Sequence, residues 1–160
     1  MNNNVLHMFP DNNQPKEVYL QANGKDRSGA VARHVSLFWI NRDDARLFIT
    51  QIIHLIGIPG RYHWENVAKM RDPRTVQTQQ RHDIYWLGTF SRAQRDRIIQ
   101  VAGSIYFEPS STVNDCRVWM RDLLDAMTKD PSLALPQSTF MELDRSIPLC
   151  RRRPEASSWR

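Results

Sequence analysis

One cysteine and two histidines stand where their chemistry could be used. Cys116, in Asn114-Asp115-Cys116-Arg117-Val118-Trp119, falls at the first turn of a helix predicted over residues 116–129 and closed by Asp130-Pro131. At a helix start, unpaired backbone N–H groups and the positive end of the dipole favour a thiolate, lowering a thiol from its reference pKa of about 8.5. The same helix puts Cys116 on one stripe with Met120, Leu123 and Met127, so it reads equally as a small core residue facing inward. A nucleophilic thiol also needs a base within hydrogen-bond reach. His34 leads into an apolar strand and His54 lies inside the next one; each could serve, and each could equally be a packed or edge histidine. His63 and Glu65 have the alternate spacing of a solvent-facing strand edge rather than that of an acid/base pair. Around the thiol, Asp115, Arg117 and Trp119 are the expected substrate contacts.

Neither a metal nor a cofactor is expected. Cys116 and Cys150 are far apart in the chain, and His7, His34, His54, His63 and His82 form no HExxH pattern. The start, Met1-Asn2-Asn3-Asn4, lacks the basic patch and apolar run of an export signal, so free thiols and a cytoplasmic location are expected. No apolar stretch approaches the roughly 18 residues needed to span a bilayer. The net charge of +5 suggests nucleic acid only until it is located: Arg151, Arg152, Arg153 and Arg160 against Glu155 place +3 of it in the last ten residues. A basic tail is not a basic groove, and Phe38, Trp39, Trp64, Trp86 and Trp119 lie mostly in apolar runs that read as core. A small-molecule or peptide substrate is the expected partner, with no nucleic acid and no membrane span.

The elements that must position these residues belong to a small α+β domain. Residues 1–15, Asn-rich with Pro10 and Pro15, read as a disordered leader. Residues 16–132 read as the domain, and residues 133–160 as an extended segment with a basic, solvated end, because Pro131, Pro136 and Pro148 argue against a third long helix. Strands are predicted over residues 18–22, 35–40 and 83–88. Residues 45–56 fit helix or strand and are read as a strand ending at Gly57. After the turn Gly57-Ile58-Pro59-Gly60, residues 61–67 read as a half-buried strand with Tyr62, Trp64 and Val67 on one face and Arg61, His63 and Glu65 on the other. Residues 70–82 read as an exposed loop. The capping-box pattern Ser91…Gln94 opens a helix over residues 92–102, with Gly103 as its stop.

The segments His34-Val35-Ser36-Leu37-Phe38, Ile53-His54-Leu55-Ile56-Gly57-Ile58-Pro59-Gly60-Arg61-Tyr62-His63-Trp64-Glu65, Gly88-Thr89 and Asp115-Cys116-Arg117-Val118-Trp119-Met120 carry a resemblance. In this order, over roughly residues 17–130, they resemble a family of mostly uncharacterised fungal proteins. That family has an H-W-x-L-F-L strand, a G-x-P-G-x-[FY]-x-[YW]-E segment and an N-C-Q-x-W-V helix start. The order of elements is also similar to the circularly permuted papain-like enzymes, including NlpC-type relatives such as the lecithin:retinol acyltransferase group and the permuted eukaryotic deubiquitinase-like peptidases. The resemblance implies a permuted papain-like arrangement of an antiparallel sheet and a few helices, with Cys116 as nucleophile, His34 as base and His54 as polarising partner. Two segments depart from it. Asp115 and Arg117 replace the usual Asn and Gln around the cysteine, and Val35 replaces the Trp after His34.

The function expected from these readings is a thiol-dependent hydrolase or acyltransferase acting on an amide, ester or thioester. Two alternatives stand beside it: a non-catalytic binding or accessory protein on the same fold, and a histidine acid/base isomerase or cyclase in fungal specialised metabolism.

Overall fold

Strand alternation sorts the apolar residues into two layers. Val35, Leu37 and Trp39 are fully buried and share the main core with Leu20, Ile53 and Leu55. The intervening Phe38 and Ile52 join Val67 and Tyr19 in a small second cluster. Residues apolar on both faces explain why these strands read as nearly continuous hydrophobic runs. In the computed structural model, which describes residues 3–29, 32–71 and 82–156, the strands are β1 Lys16–Ala22, β2 Val35–Asp43, β3 Phe48–Ile58, β4 Arg61–Arg71 and β5 Asp83–Phe90. All neighbours are antiparallel, in the order β4-β3-β2-β1-β5. The helices α1 Arg92–Ser104, α2 Cys116–Lys129 and α3 Gln137–Ser146 contribute to the main core only, so they cover one face of the sheet. The expected α+β class holds.

Helix α2 occupies the centre of the helical layer, touching β2, β3, α1 and α3. Trp119, Met120, Leu123, Leu124 and Met127 are wholly buried along its inner stripe, each contributing roughly 1.5–3 kcal/mol of burial. Ser91 and Gln94 form the expected capping box of α1, which runs past Gly103 to Ser104. The β3–β4 hairpin closes on Pro59-Gly60 with Ile58 opposite Arg61. Gly57 supports this closure at φ +125°, where a Cβ would lie 2.0 Å from the Arg61 carbonyl oxygen.

Four expectations are corrected. Val67 faces the second cluster with Phe38 and Ile52, not the Tyr62–Trp64 side, because strict alternation from Trp64 sends it across the sheet. Residues 133–156 are not an extended segment. Pro136 stands at the N-cap of α3 and Pro148 lies beyond its end, so the prolines bracket a helix rather than break it, and Phe140, Leu143 and Ile147 carry the core past residue 132. Residues 3–15 are held rather than loose: Val5 N–H donates to the Ala68 carbonyl, and Asp11 pairs with Lys16 at 2.7 Å and with the fully buried Arg95 at 2.8 Å. The basic end is anchored too, with Arg152 paired to Asp122 at 2.7 Å and the Arg153 main chain bonded to Asn114. Most of the loop expected over residues 70–82 lies outside the described residues. Among those described, no helix is long and apolar enough to cross a membrane.

Candidate active site

His34 immediately precedes β2, His54 lies in β3 and Glu65 in β4. Register brings the last two together, because His54 is the direct cross-strand partner of Glu65. Alternation puts all three on the sheet face turned away from the helices: Val35, Ile53, Leu55 and Trp64, their sequence neighbours, point into the main core. There they make one chain of hydrogen bonds. His34 Nε2 lies 2.9 Å from His54 Nδ1, and His54 Nε2 lies 2.8 Å from Glu65 Oε1.

The chain assigns its own tautomers. An ionised Glu65 can only accept, so His54 Nε2 donates to it; neutral His54 then has Nδ1 as acceptor, which requires His34 Nε2 to donate. His34 Nδ1 then carries a lone pair that meets no hydrogen-bond donor among the described residues, the form of a general base. Burial, the facing His54 ring and Lys69 push the His34 pKa down to about 4. Burial also lowers that of His54, outweighing the opposing pull of its hydrogen bond to Glu65. Both rings are neutral near pH 7.

Cys116 approaches this chain from the helical side. Its thiol donates to the Arg33 carbonyl at 3.6 Å, and the Val35 amide faces the sulfur. These two groups bracket His34 on the edge of β2 that faces β3, since the opposite edge is bonded to the start of the loop after β1 through Asn23 N–H and the His34 carbonyl. The β2–β3 ladder begins only at Leu37 and Ile53, and the Cys116 sulfur sits against the strand edge before that point. The structure thus brings His34, His54 and Glu65 together and sets the thiol against the main chain beside His34, with the thiol's hydrogen bond going to a carbonyl and not to an imidazole. Burial raises the thiol to about 11, opposed by the Val35 amide and reinforced by Asp115.

Asp115 caps α2, accepting from the Arg117 amide at 2.9 Å, and its second oxygen pairs with the Arg117 guanidinium at 2.9 Å. Asp115 and Arg117 therefore neutralise one another at the mouth of the helix. Trp119, expected as a substrate contact, is wholly buried and stacks on Trp64 with ring centroids 6.5 Å apart. Its place at the third residue beyond Cys116 turns it into the core. Arg33 is buried as well, and its guanidinium donates to the carbonyls of Ala22, Asn23, Gly24 and Ile147 and to Asp83.

Glu65 is the site residue that sequence reasoning passed over. Its signal was present: counting outward from a two-residue turn at Pro59-Gly60 sets residue 65 opposite residue 54. Among the described residues no group of three His, Cys, Asp or Glu side chains could hold a metal ion. A cavity of about 460 Å³ lies apart from this site between α2 and α3, against Arg121, Phe140, Met141, Asp144, Arg145 and Arg151. The chain matches no family model, no curated protein and no solved structure.

Proposed function

We propose that the protein is a thiol-dependent hydrolase or acyltransferase, with a permuted papain-like disposition of its site, in which Cys116 attacks the carbonyl of an amide, ester or thioester and His34 takes the thiol proton. The observation that carries this reading is the chain His34–His54–Glu65, which leaves Nδ1 as the acceptor on His34, the strand residue whose two flanking residues, Arg33 and Val35, hold the thiol through their main chain. With the thiol at about 11 and His34 at about 4, the resting pair is neutral. Proton transfer therefore accompanies attack rather than preceding it, after the thiol swings from the Arg33 carbonyl to the imidazole. Two main-chain N–H groups, those of Cys116 and Val35, face the sulfur and are the donors proposed to stabilise the oxyanion. Hydrolysis and transfer share these steps up to the acyl-enzyme.

The test is single-turnover acetylation by p-nitrophenyl acetate, with the adduct located by peptide mass spectrometry. Acetyl-Cys116 is expected in the wild type, none in Cys116→Ala, and a rate about 10²-fold lower or less in His34→Gln. Adducts on Cys150 alone, or an undiminished rate in His34→Gln, would overturn the reading.

One observation favours a second reading. The thiol's bond to a carbonyl suits a packed cysteine, which would leave His34 to act alone as acid and base in an isomerisation or cyclisation. That reading requires Cys116→Ser to stay active in turnover while His34→Ala does not.

A further inference from the structure

We infer that Glu65 is the terminal proton acceptor of the site: as the Cys116 sulfur bonds to the carbonyl carbon, its proton passes to His34 Nδ1, the His34 Nε2 proton to His54 Nδ1, and the His54 Nε2 proton to Glu65 Oε1. The inference rests on the thiol-dependent reading above. The electron pair of the S–H bond becomes the new S–C bond, the carbonyl π pair moves to oxygen, and the negative charge lost at Glu65 reappears on that oxygen. Neither imidazole becomes a cation at the end of the step.

Geometry and burial select this route over one that stops at His34. The second and third hops already span formed hydrogen bonds, of 2.9 Å and 2.8 Å, and only the first needs the thiol to leave the Arg33 carbonyl. His54 is buried, whereas the Glu65 side chain is 25% exposed, so the chain ends at the member that reaches water. An imidazolium in the middle would stand beside the cations of Lys69 and Arg71 on β4 and beside the second ring, and these, with burial, disfavour the charged rings. In the familiar serine triad the acid orients and stabilises a cationic histidine without taking its proton. Here two rings separate the base from the carboxylate, and their burial makes a buried cation the costlier resting place. The carboxyl then returns its proton to solvent or back along the chain to the leaving group.

The experiment is a proton inventory of single-turnover acetylation by p-nitrophenyl acetate in mixtures of H₂O and D₂O. It is combined with ¹⁵N NMR of the imidazoles in wild type, Glu65→Gln and Glu65→Asp. In wild type the rate is expected to bow below a straight line with deuterium fraction, reporting several protons in flight, and both rings are expected as Nε2–H tautomers. Glu65→Gln should react about tenfold more slowly or less, with a straight plot. Glu65→Asp, which keeps the carboxylate, should retain the curvature and decides the matter should the glutamine variant fail to fold. A straight wild-type plot, or an imidazolium signature at neutral pH, would overturn the relay while leaving Cys116 as nucleophile. Absence of acetyl-Cys116 in the wild type would instead remove the thiol-dependent reading, and the relay with it.

Discussion

His34 and His54 enter the native state without charge, and that has a consequence for stability. An unfolded chain protonates its histidines near the ordinary pKa of about 6.5, whereas folded His34 waits until about 4 and His54 is also lowered. Between those pH values the unfolded state binds more protons, so stability is full above about pH 6.5 and falls as pH is lowered through the window. We expect His34 alone to cost about 2–3 kcal/mol by pH 4, read as the shift of urea midpoints from pH 7.5 downward. His34→Gln should flatten that slope. At this scale the sequence was informative about residue type and poor about pairing. Cys116 is legible as a first-turn residue and both histidines as strand-borne. Glu65 was set aside because a polar residue alternating with His63 looks like a solvent face. Its partner lies across a hairpin rather than along the strand.

Among the elements, α2 concentrates the local determinants of the site. Asp115 supplies its cap and holds Arg117, so Asp115→Ala is expected to lower stability by about 1 kcal/mol, with Asp115→Asn nearly neutral. Because the Asp115 carboxylate helps to raise the Cys116 thiol, Asp115→Asn should also speed iodoacetamide labelling of Cys116 at alkaline pH; an unchanged rate would mean that Arg117 fully screens it. Both ends of α2 and the capping box of α1 were readable because caps are local chemistry. Residues 45–56 were ambiguous because β3 is buried on both faces, which erases the period that separates strand from helix. Helix α3 was missed for a different reason. Its flanking prolines were counted as breakers, although Pro136 occupies the one end of a helix that tolerates proline.

For the molecule as a whole, closure depends on contacts that no local pattern announces. Residues 3–15 look disordered by composition, yet Asp11 binds Arg95 from 84 positions away, and Arg95 is wholly buried. Burial pushes the Asp11 carboxyl up, but hydrogen bonds from Arg95 and Lys16 outweigh that and hold it below the usual range. Removing it leaves a buried guanidinium unpaired, so Asp11→Ala is expected to lose about 3–5 kcal/mol; a thermal midpoint within a degree or two of wild type would show that the N-terminal segment is dispensable. The basic end follows the same rule, since Arg152 is paired with Asp122 and the Arg153 guanidinium donates to the Val113 carbonyl in the loop before α2.

Arg33 gives this long-range closure a direction in time. Its carbonyl receives the Cys116 thiol, while its guanidinium is fastened to Asp83 and to the carbonyl of Ile147, 114 residues later in the chain. A ribosome delivers those anchors long after residue 33 has emerged. One of the five acceptors that hold this guanidinium is therefore supplied 114 residues after it, the other four being made earlier. A nascent chain stopped short of residue 147 would carry the cysteine and both histidines without that last acceptor.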